Sequence, residues 1–206
     1  MHQKYKKILL CTIVDDWHNY GQRLQAYALC KFINDNFDVE CKLCDYRANP
    51  EETSSFREFQ RHFIPSLHAR NVKDIYEFDP DAILLGSDQI LNNNIIDLRS
   101  YCFGILKVFK NISTYAAGET GWNPVKNTPN ILMQNDKNRF ALKMLKRCEA
   151  ISIREDVSAK RISSLLADRP VSCNIDPVFL LTTDDWRSLE RKPSGIEAGE
   201  VFDFVY

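Results

Sequence analysis

A short apolar run that leads through a polar turn into a helical pattern most constrains the fold of this chain. Residues 8 to 14 read Ile-Leu-Leu-Cys-Thr-Ile-Val, which is typical of a buried strand. Beyond the turn, apolar side chains recur at helical spacing: Leu24, Tyr27, Ala28, Leu29 and Phe32. The sequence therefore predicts the local order strand, loop, helix, with Gly21 between the strand and the helix.

Gly21 suits either of two roles in this turn. Glycine adopts a positive φ without strain, or it lets another group approach the backbone closely. The N–H groups of a first helical turn also attract anions. The segment lacks both the three spaced glycines of a dinucleotide fingerprint and the Gly-Lys-Ser/Thr of a P-loop. The turn is therefore either an anion site or an ordinary strand-to-helix connection.

The rest of the chain continues to alternate strand patterns and helix patterns. Strand patterns lie at residues 38–46, 82–86, 112–117, 150–153 and 171–175. Helix patterns lie within 47–63, after a loop, and at 70–78, 136–148 and 156–167. This alternation predicts a mostly parallel sheet with helices on both faces, which is a Rossmann-like α/β fold.

The last residues of the sequence differ in composition from the rest. Residues 191–199 have linker composition, and residues 200–206 read as the start of another strand. We therefore expect a Rossmann-like N-terminal domain over residues 1–186. Residues 187–206 are expected to form a linker and the first strand of a C-terminal domain that lies outside this chain.

Charge and hydropathy disfavour two classes of partner. The formal net charge is -1, from 27 basic and 28 acidic residues, so no global attraction to nucleic acid or to anionic membrane is expected. No apolar run reaches the roughly 20 residues that span a bilayer, and residues 1–7 lead into a short strand and not into a signal-peptide core. The sequence predicts a cytoplasmic protein with no nucleic acid partner and no membrane span.

The seven cysteines do not form a metal-binding pattern. Cys41 and Cys44 make a Cys-x-x-Cys inside a strand pattern, which points the two side chains to opposite faces. Most of the other cysteines lie in apolar patterns, where a free thiol is usually a small core residue. Without a second Cys pair or a His cluster, no metal and no cofactor is expected.

The polar loops that follow the predicted strands are the natural place for a site. In parallel α/β sheets, ligands bind beyond the carboxyl ends of the strands. The loops concerned are residues 15–21, 87–94, 118–121 and 154–155, and each carries groups that bind or transfer charge. We therefore expect the functional residues among these four loops.

Five motifs taken together resemble one known family. They are Asn19-Tyr20-Gly21-x-x-Leu24-Gln25-Ala26-Tyr27-Ala28-Leu29, Gly86-Ser87-Asp88-Gln89, Tyr115-Ala116-Ala117, Ser152-Ile153-Arg154-Glu155 and Asp176-Pro177-x-Phe179-Leu180-Leu181-x-x-x-Asp185-Trp186. Their order and rough spacing are similar to those of the polysaccharide pyruvyl transferase family. The resemblance extends over residues 8 to 186.

The resemblance implies a transferase with two Rossmann-like domains, similar to the GT-B architecture, of which this chain is the N-terminal part. The family reaction moves the enolpyruvyl unit of phosphoenolpyruvate onto a sugar of a surface polysaccharide, usually as a ketal, with loss of phosphate. The implied partners are phosphoenolpyruvate, a sugar or glycan acceptor, and the enzymes of polysaccharide assembly. The C-terminal domain would supply much of the phosphoenolpyruvate site, so residues 1–206 alone are expected to be inactive.

Three side chains suit the catalytic roles that this chemistry requires. Arg154 keeps its charge and can hold a phosphate or carboxylate with two parallel hydrogen bonds, or it forms an ion pair with Glu155 or another carboxylate. Asp88 is the base for the attacking hydroxyl or holds a sugar hydroxyl, or else it forms an Asx turn or a cap for the segment that follows. His18 titrates near neutral pH and either transfers protons or is a solvated loop residue.

Other polar residues of the motifs are candidates for substrate binding: Asn19, Tyr20, Gly21, Ser87, Gln89, Asn92 and Glu155. Trp17 and Trp122 either stack on a sugar ring or lie in the core. The chain has Ile90-Leu91 where the family pattern tends to have Val-Trp, so an aromatic wall of the site is expected to be missing.

Two other functions stay open on the sequence. A glycosyltransferase of similar architecture that uses a nucleotide sugar would share the predicted fold. A non-catalytic domain fragment that binds a sugar or a partner would also share it. A thermal shift with nucleoside diphosphates but not with phosphoenolpyruvate favours the first, and indifference to Asp88→Ala and Arg154→Ala favours the second.

Overall fold

The structure, a computed structural model, describes residues 4–14, 19–46, 55–91, 111–118, 136–167 and 169–190. The strands are β1 Lys7–Cys11, β2 Glu40–Tyr46, β3 Ser66–Ala69, β4 Ala82–Gly86, β5 Ile112–Tyr115, β6 Ser152–Ile153 and β7 Ser172–Cys173. The helices are α1 Tyr20–Asn36, α2 Ser55–Phe63, α3 Val72–Phe78, α4 Asp136–Leu145, α5 Asp156–Leu165 and α6 Thr183–Arg187, with a 3₁₀ helix at Pro177–Leu180. The predicted alternation of strands and helices is confirmed.

Five parallel strands form the main sheet, in the order β3-β2-β1-β4-β5. Strands β6 and β7 form a second parallel pair, which a bridge between Ala117 and Ile153 joins to the end of β5. The chain therefore builds outward from β1 in one direction and then, from β4, in the other. Such a reversal between β1 and β4 is the switch point at which doubly wound sheets open a crevice at their carboxyl edge.

Apolar side chains pack on both faces of the sheet, as the sequence predicts. Leu9 and Leu10 are neighbours on β1, point to opposite faces, and are each 0% exposed. Cys41 and Cys44 likewise join the cores on opposite faces, which confirms the prediction for this Cys-x-x-Cys. Strands buried on both faces are mostly apolar, so most polar residues lie in the loops at their ends.

Helix α1 covers one face of the sheet and is itself covered by the end of the chain. Leu29 on α1 packs in the same core as Leu10 and Leu43. After β7 the chain crosses back to α1, where the ring of Trp186 lies 5.8 Å from that of Tyr27. The crossing brings the residues that follow β7 into contact with α1.

Some local predictions differ from the structure. Strand β3 was not predicted, because Ser66-Leu67-His68-Ala69 is short and half polar and carries little periodicity. The predicted strands near residues 150 and 171 have only two residues each. Gly21 lies inside α1 without a left-handed φ, so its predicted positive-φ role is wrong and close approach is the role that applies.

The predicted GT-B architecture and the second domain stay predictions, since residues 191–206 lie outside the described residues. Among the described helices, none combines the length and the apolar character needed to cross a bilayer.

Candidate functional site

The N-terminus of α1 forms one side of the crevice at the switch point. The Oδ1 atom of Asn19 caps the helix by accepting a hydrogen bond from the backbone N–H of Gln22 at 3.3 Å. A Cβ on Gly21 would lie 3.1 Å from that same oxygen, so glycine leaves room for the cap. Tyr20 is 66% exposed. The predicted residues Asn19, Tyr20 and Gly21 therefore lie together at the solvent-exposed start of α1.

The loop after β4 has strained backbone at two consecutive residues. Ser87 and Asp88 have φ values of 45° and 58°, and Ala116 after β5 has a φ of 46°. Ser87 donates its N–H to the carbonyl of Tyr115 at 2.8 Å, and its own carbonyl accepts from the Thr12 hydroxyl at 3.1 Å. Left-handed φ values in non-glycine residues cost free energy and cluster at functional sites. The neighbouring strands β1 and β5 hold this loop in place.

The turn at Asp88 is held by hydrogen bonds to its backbone carbonyl and not by hydrogen bonds to its side chain. Its carbonyl accepts from the N–H of Ile90 at 2.8 Å and from the N–H of Gly118 at 2.7 Å. The carboxylate atom Oδ2 is shielded from solvent and has no hydrogen-bond partner among the described residues. An Asx turn is therefore not what orients Asp88, and this oxygen is left to accept a hydrogen bond from a ligand.

Gly118 is where the loops after β4, β5 and β6 meet. A Cβ at this position would lie 2.9 Å from the carbonyl oxygen of Asp88 and 3.2 Å from Nη2 of Arg154. Asp88 and Arg154 therefore lie on either side of one backbone point, and a side chain there would push them apart. The structure thus brings together two of the three predicted catalytic residues.

Arg154 is held by two carboxylates. Its Nε donates to Oε1 of Glu155 at 2.9 Å, and its Nη1 donates to Oδ2 of Asp176 at 3.1 Å. Burial by itself lowers the pKa of the Arg154 guanidinium, but the hydrogen bonds and charges of Glu155 and Asp176 outweigh burial and raise the pKa. The predicted ion pair with Glu155 is confirmed, and a second acid shares the guanidinium.

Gln25 and Asp176 belong to the recognised motifs but were assigned no role from the sequence. The Nε2 group of Gln25 donates to Oδ2 of Asp176 at 2.5 Å, and Oδ1 of Asp176 accepts from the N–H of Val178 at 3.1 Å. We call Gln25, Arg154, Glu155 and Asp176 the Asp176 network. Nothing in the spacing of residues 25 and 176 shows that they touch, because the crossing of the chain after β7 brings them together.

Buried oxygen atoms without a donor collect at this edge of the sheet. Within the described part of the chain, five of them have no hydrogen-bond partner: Gln22 Oε1, Gln25 Oε1, Ser87 Oγ, Asp88 Oδ2 and Glu155 Oε2. A buried polar atom left unpaired costs roughly 1 to 3 kcal/mol. Ser87 Oγ belongs to a hydroxyl and can also donate, so these atoms can pair with water or with the polar groups of a ligand.

The remaining residues that the sequence analysis names fall into three groups. Some lie in the core, one lies at the edge of the crevice, and the others lie outside the described residues. Gln89 is half-buried after β4, whereas the side chains of Ile90 and Leu91 are buried in the core. The other candidates lie outside the described residues: Trp17, His18, Asn92 and Trp122. Across the described ranges no group of three or more His, Cys, Asp or Glu side chains is arranged to hold a metal ion.

The architecture defines a doubly wound α/β protein with a polar site at its switch point. The sequence model of the polysaccharide pyruvyl transferase family matches residues 19–201, which is most of the chain. The chain belongs to this family, and its family is a transferase family. No curated protein and no solved structure matches the chain.

Proposed function

We propose that this chain forms the acceptor-binding half of a pyruvyl transferase that uses phosphoenolpyruvate and a sugar of a surface polysaccharide. Two sugar hydroxyls bond to C2 of the enolpyruvyl unit, and the bond from C2 to the phosphate oxygen breaks. One hydroxyl proton goes to the methylene carbon, which becomes a methyl group, and the other leaves with the phosphate. The product is a ketal that carries one carboxylate on the sugar.

The unpaired oxygen atoms at the carboxyl edge are the observation that supports this proposal. A sugar presents several hydroxyl donors, and each donor that reaches one of these oxygens removes the cost of an unpaired acceptor. A site for an anion alone would instead present donors and cations. The one guanidinium of the Asp176 network is already shared by two carboxylates. The site thus offers several oxygen acceptors next to an arginine that two carboxylates already bind. Such a site suits a ligand with hydroxyl groups better than a phosphate.

The residues of the site then take distinct roles in our proposal. Asp88 accepts the proton of the attacking hydroxyl through the carboxylate oxygen that has no partner in the described structure. Arg154 stabilises the negative charge of the phosphate or carboxylate as the donor approaches. His18 supplies the proton for the methylene carbon. Asn19, Tyr20, Ser87, Gln89, Asn92 and Glu155 contact the sugar or the donor, and Gly21 gives close access at the start of α1.

A second domain completes the donor site in this proposal, so residues 1–206 alone do not turn over substrate. The full protein works in the cytoplasm beside enzymes of polysaccharide assembly, without a cofactor. This arrangement follows the GT-B pattern, in which two Rossmann-like domains face a common cleft.

The test is phosphate release from phosphoenolpyruvate by a form of the protein extended beyond Tyr206, with a broad panel of sugar acceptors. We expect release that depends on the acceptor and that Asp88→Asn and Arg154→Gln each reduce by at least about 100-fold, since each removes a group acting in the transition state. Asp38→Asn is the matched control, because Asp38 is exposed and pairs with Lys6 at the opposite edge.

No release with any acceptor would contradict the proposed reaction. A thermal shift with nucleoside diphosphates but not with phosphoenolpyruvate would favour a glycosyltransferase that uses a nucleotide sugar. Binding of sugars that survives Asp88→Asn and Arg154→Gln, without phosphate release, would favour a non-catalytic domain.

A further inference from the structure

Asp176 connects three parts of the fold that are distant in the sequence. One of its oxygens, Oδ2, accepts from Gln25 on α1 and from Arg154 after β6, while Oδ1 accepts from the N–H of Val178 and so caps the 3₁₀ helix. Both oxygens are therefore in use, and the carboxylate cannot turn without breaking one of these bonds. Its position is fixed by the backbone that it caps.

The contact with Asp176 also decides how the amide of Gln25 is oriented. An amide presents NH₂ on one side and oxygen on the other, and the two orientations are distinguished only by their partners. Because Asp176 is a carboxylate, it can only accept, so the NH₂ group of Gln25 faces it and Oε1 faces away. Oε1 is one of the oxygens without a donor in the described structure.

The same contact limits the charge that Arg154 offers to a ligand. The guanidinium carries one positive charge, and Glu155 and Asp176 bring two negative charges to it at 2.9 Å and 3.1 Å. The side chain of Arg154 is 25% exposed, so solvent screens these charges only in part. An anion that approaches this guanidinium meets the repulsion of both carboxylates. Asp176 reaches it from another element, whereas Glu155 is its neighbour in sequence.

We infer that Asp176 is a positioning residue of this site, which fixes the guanidinium of Arg154 and the carboxamide of Gln25 and lowers the affinity of the site for anions. The inference rests on the proposed function only in taking the anion to be phosphoenolpyruvate. Asp176 thus holds the guanidinium of Arg154 in one orientation and offsets part of its positive charge. An anion therefore binds to Arg154 with low affinity before the reaction.

The first test is the variant Asp176→Asn, which keeps the size of the side chain but removes the charge and one of the two acceptor oxygens. Calorimetry with phosphoenolpyruvate, and separately with inorganic phosphate, is expected to show binding about tenfold tighter than in the unsubstituted protein, because one repulsive charge near the anion is gone. Turnover by the form of the protein extended beyond Tyr206 is expected to fall by at least about tenfold, because the amide introduced by this substitution no longer forces Oε1 of Gln25 to face away.

Asp185→Asn is the matched control. Asp185 lies on α6, also reaches α1 through an ion pair with Lys31 at 3.6 Å, and caps its own helix through Thr182. The same change of charge and shape there is expected to leave anion affinity and turnover within about twofold of the unsubstituted protein, because this carboxylate lies outside the Asp176 network. Thermal unfolding of both variants separates a loss of folding from a change at the site.

Gln25→Glu gives an independent check should Asp176→Asn fold poorly. This substitution adds a carboxylate against Asp176, so anion binding is expected to weaken about tenfold. The double variant Gln25→Glu with Asp176→Asn restores both the hydrogen bond and the original net charge, and anion affinity is expected to return to within about threefold of the unsubstituted protein.

Unchanged anion affinity in Asp176→Asn, or a fall in affinity that parallels a loss of folding, overturns the inference. Failure of the double variant to recover affinity also overturns it. Tighter binding of inorganic phosphate by Asp176→Asn, with no turnover of phosphoenolpyruvate by any form of the protein, supports the inference while the proposed reaction fails.

Discussion

Two polar networks lie near the carboxyl edge of the sheet, and they differ in how fully their oxygens are paired. In the first, which we call the Asp45 network, Oδ1 of Asp45 accepts from Arg57 and Oδ2 accepts from His68, both at 2.8 Å. The Oε1 atom of Gln60 accepts from Arg57 at 3.1 Å. The Asp176 network instead leaves oxygens of Gln25 and Glu155 without a donor in the described structure.

We interpret this difference as one between a network that holds elements together and a network that we propose binds a ligand. Asp45 on β2 ties α2 to the sheet through Arg57 and ties β3 through His68, and the side chains of Asp45 and Arg57 are only 4% and 6% exposed. Both carboxylate oxygens of Asp45 are paired, although Nε2 of Gln60 has no hydrogen-bond partner among the described residues, and breaking such a buried ion pair is costly. Unpaired oxygens in the Asp176 network lower stability unless a ligand supplies donors.

The largest expected effect in this comparison is on stability, from Asp45→Ala. The substitution removes a buried carboxylate that pairs with the guanidinium of Arg57, so we expect a loss of about 3 to 5 kcal/mol in the free energy of unfolding. Urea denaturation measures it. His68→Gln is the control and is expected to cost under about 1 kcal/mol, since the His68 side chain is 65% exposed. Equal losses of unfolding free energy in Asp45→Ala and His68→Gln would contradict the importance that we give to the ion pair between Asp45 and Arg57.

A smaller effect is expected from Gly118→Ala, which acts on the edge of the Asp176 network. The new Cβ would contact backbone atoms of Asp88 as well as Arg154, and backbone cannot move aside cheaply, so we expect a loss of about 1 to 3 kcal/mol and reduced anion binding. Urea denaturation and calorimetry measure the two.

Gly21→Ala is the matched control for Gly118→Ala. There the new Cβ meets only the side-chain oxygen of Asn19, which can shift, and alanine favours the helix by about 0.5 to 1 kcal/mol. We expect stability within about 1 kcal/mol of the unsubstituted protein. A larger loss in Gly21→Ala than in Gly118→Ala would contradict the importance we give to the meeting of the three loops.

The smallest effect is expected at the opposite edge of the sheet, at Asp81, where one carboxylate oxygen accepts two backbone hydrogen bonds. Backbone N–H groups of Lys6 and Lys7 donate to its Oδ2 at 2.8 Å each and lower the pKa of Asp81. Because the folded pKa lies below the unfolded value of about 3.9, the carboxylate stabilises the fold above that pH, and this contribution is lost as the pH falls through the folded pKa.

Asp81→Asn should therefore reduce stability by under about 1 kcal/mol near neutral pH, since Asp81 is exposed and solvent screens its charge. The difference between the two proteins should shrink between about pH 5 and pH 2. Urea denaturation at several pH values measures it. A difference that grows toward low pH would contradict the assigned sign.

The sequence predicted the sheet and the edge that carries the site, because both depend on local patterns. The apolar run before Gly21 and the run at residues 82–86 gave β1 and β4, and the loops after them hold Asn19 and Asp88. Strand β3 escaped prediction because a four-residue strand with two polar residues has too little periodicity. Its place in the sheet depends on pairing with β2, which no local pattern reveals.

The candidate site was predicted only in part. Arg154 and Asp88 were identified from their residue types and their places after strands, and the ion pair to Glu155 follows from adjacency. The role of Asp176 was not found, since its partners Gln25 and Arg154 lie far away in the sequence. Gly118 was placed in a site loop, but its contact with both Asp88 and Arg154 depends on three loops meeting.

The sequence by itself determined the class of fold, the polar edge of the sheet and the family, because hydrophobic periodicity and short motifs are local properties of the chain. Only the tertiary structure decided which groups are paired. The order of the strands places Asp88 beside Arg154, and the crossing after β7 places Asp176 between Arg154 and Gln25. Hydrogen bonds depend on distances of a few ångströms between residues that the sequence separates by as many as 151 positions, so pairing emerges only when the chain is folded.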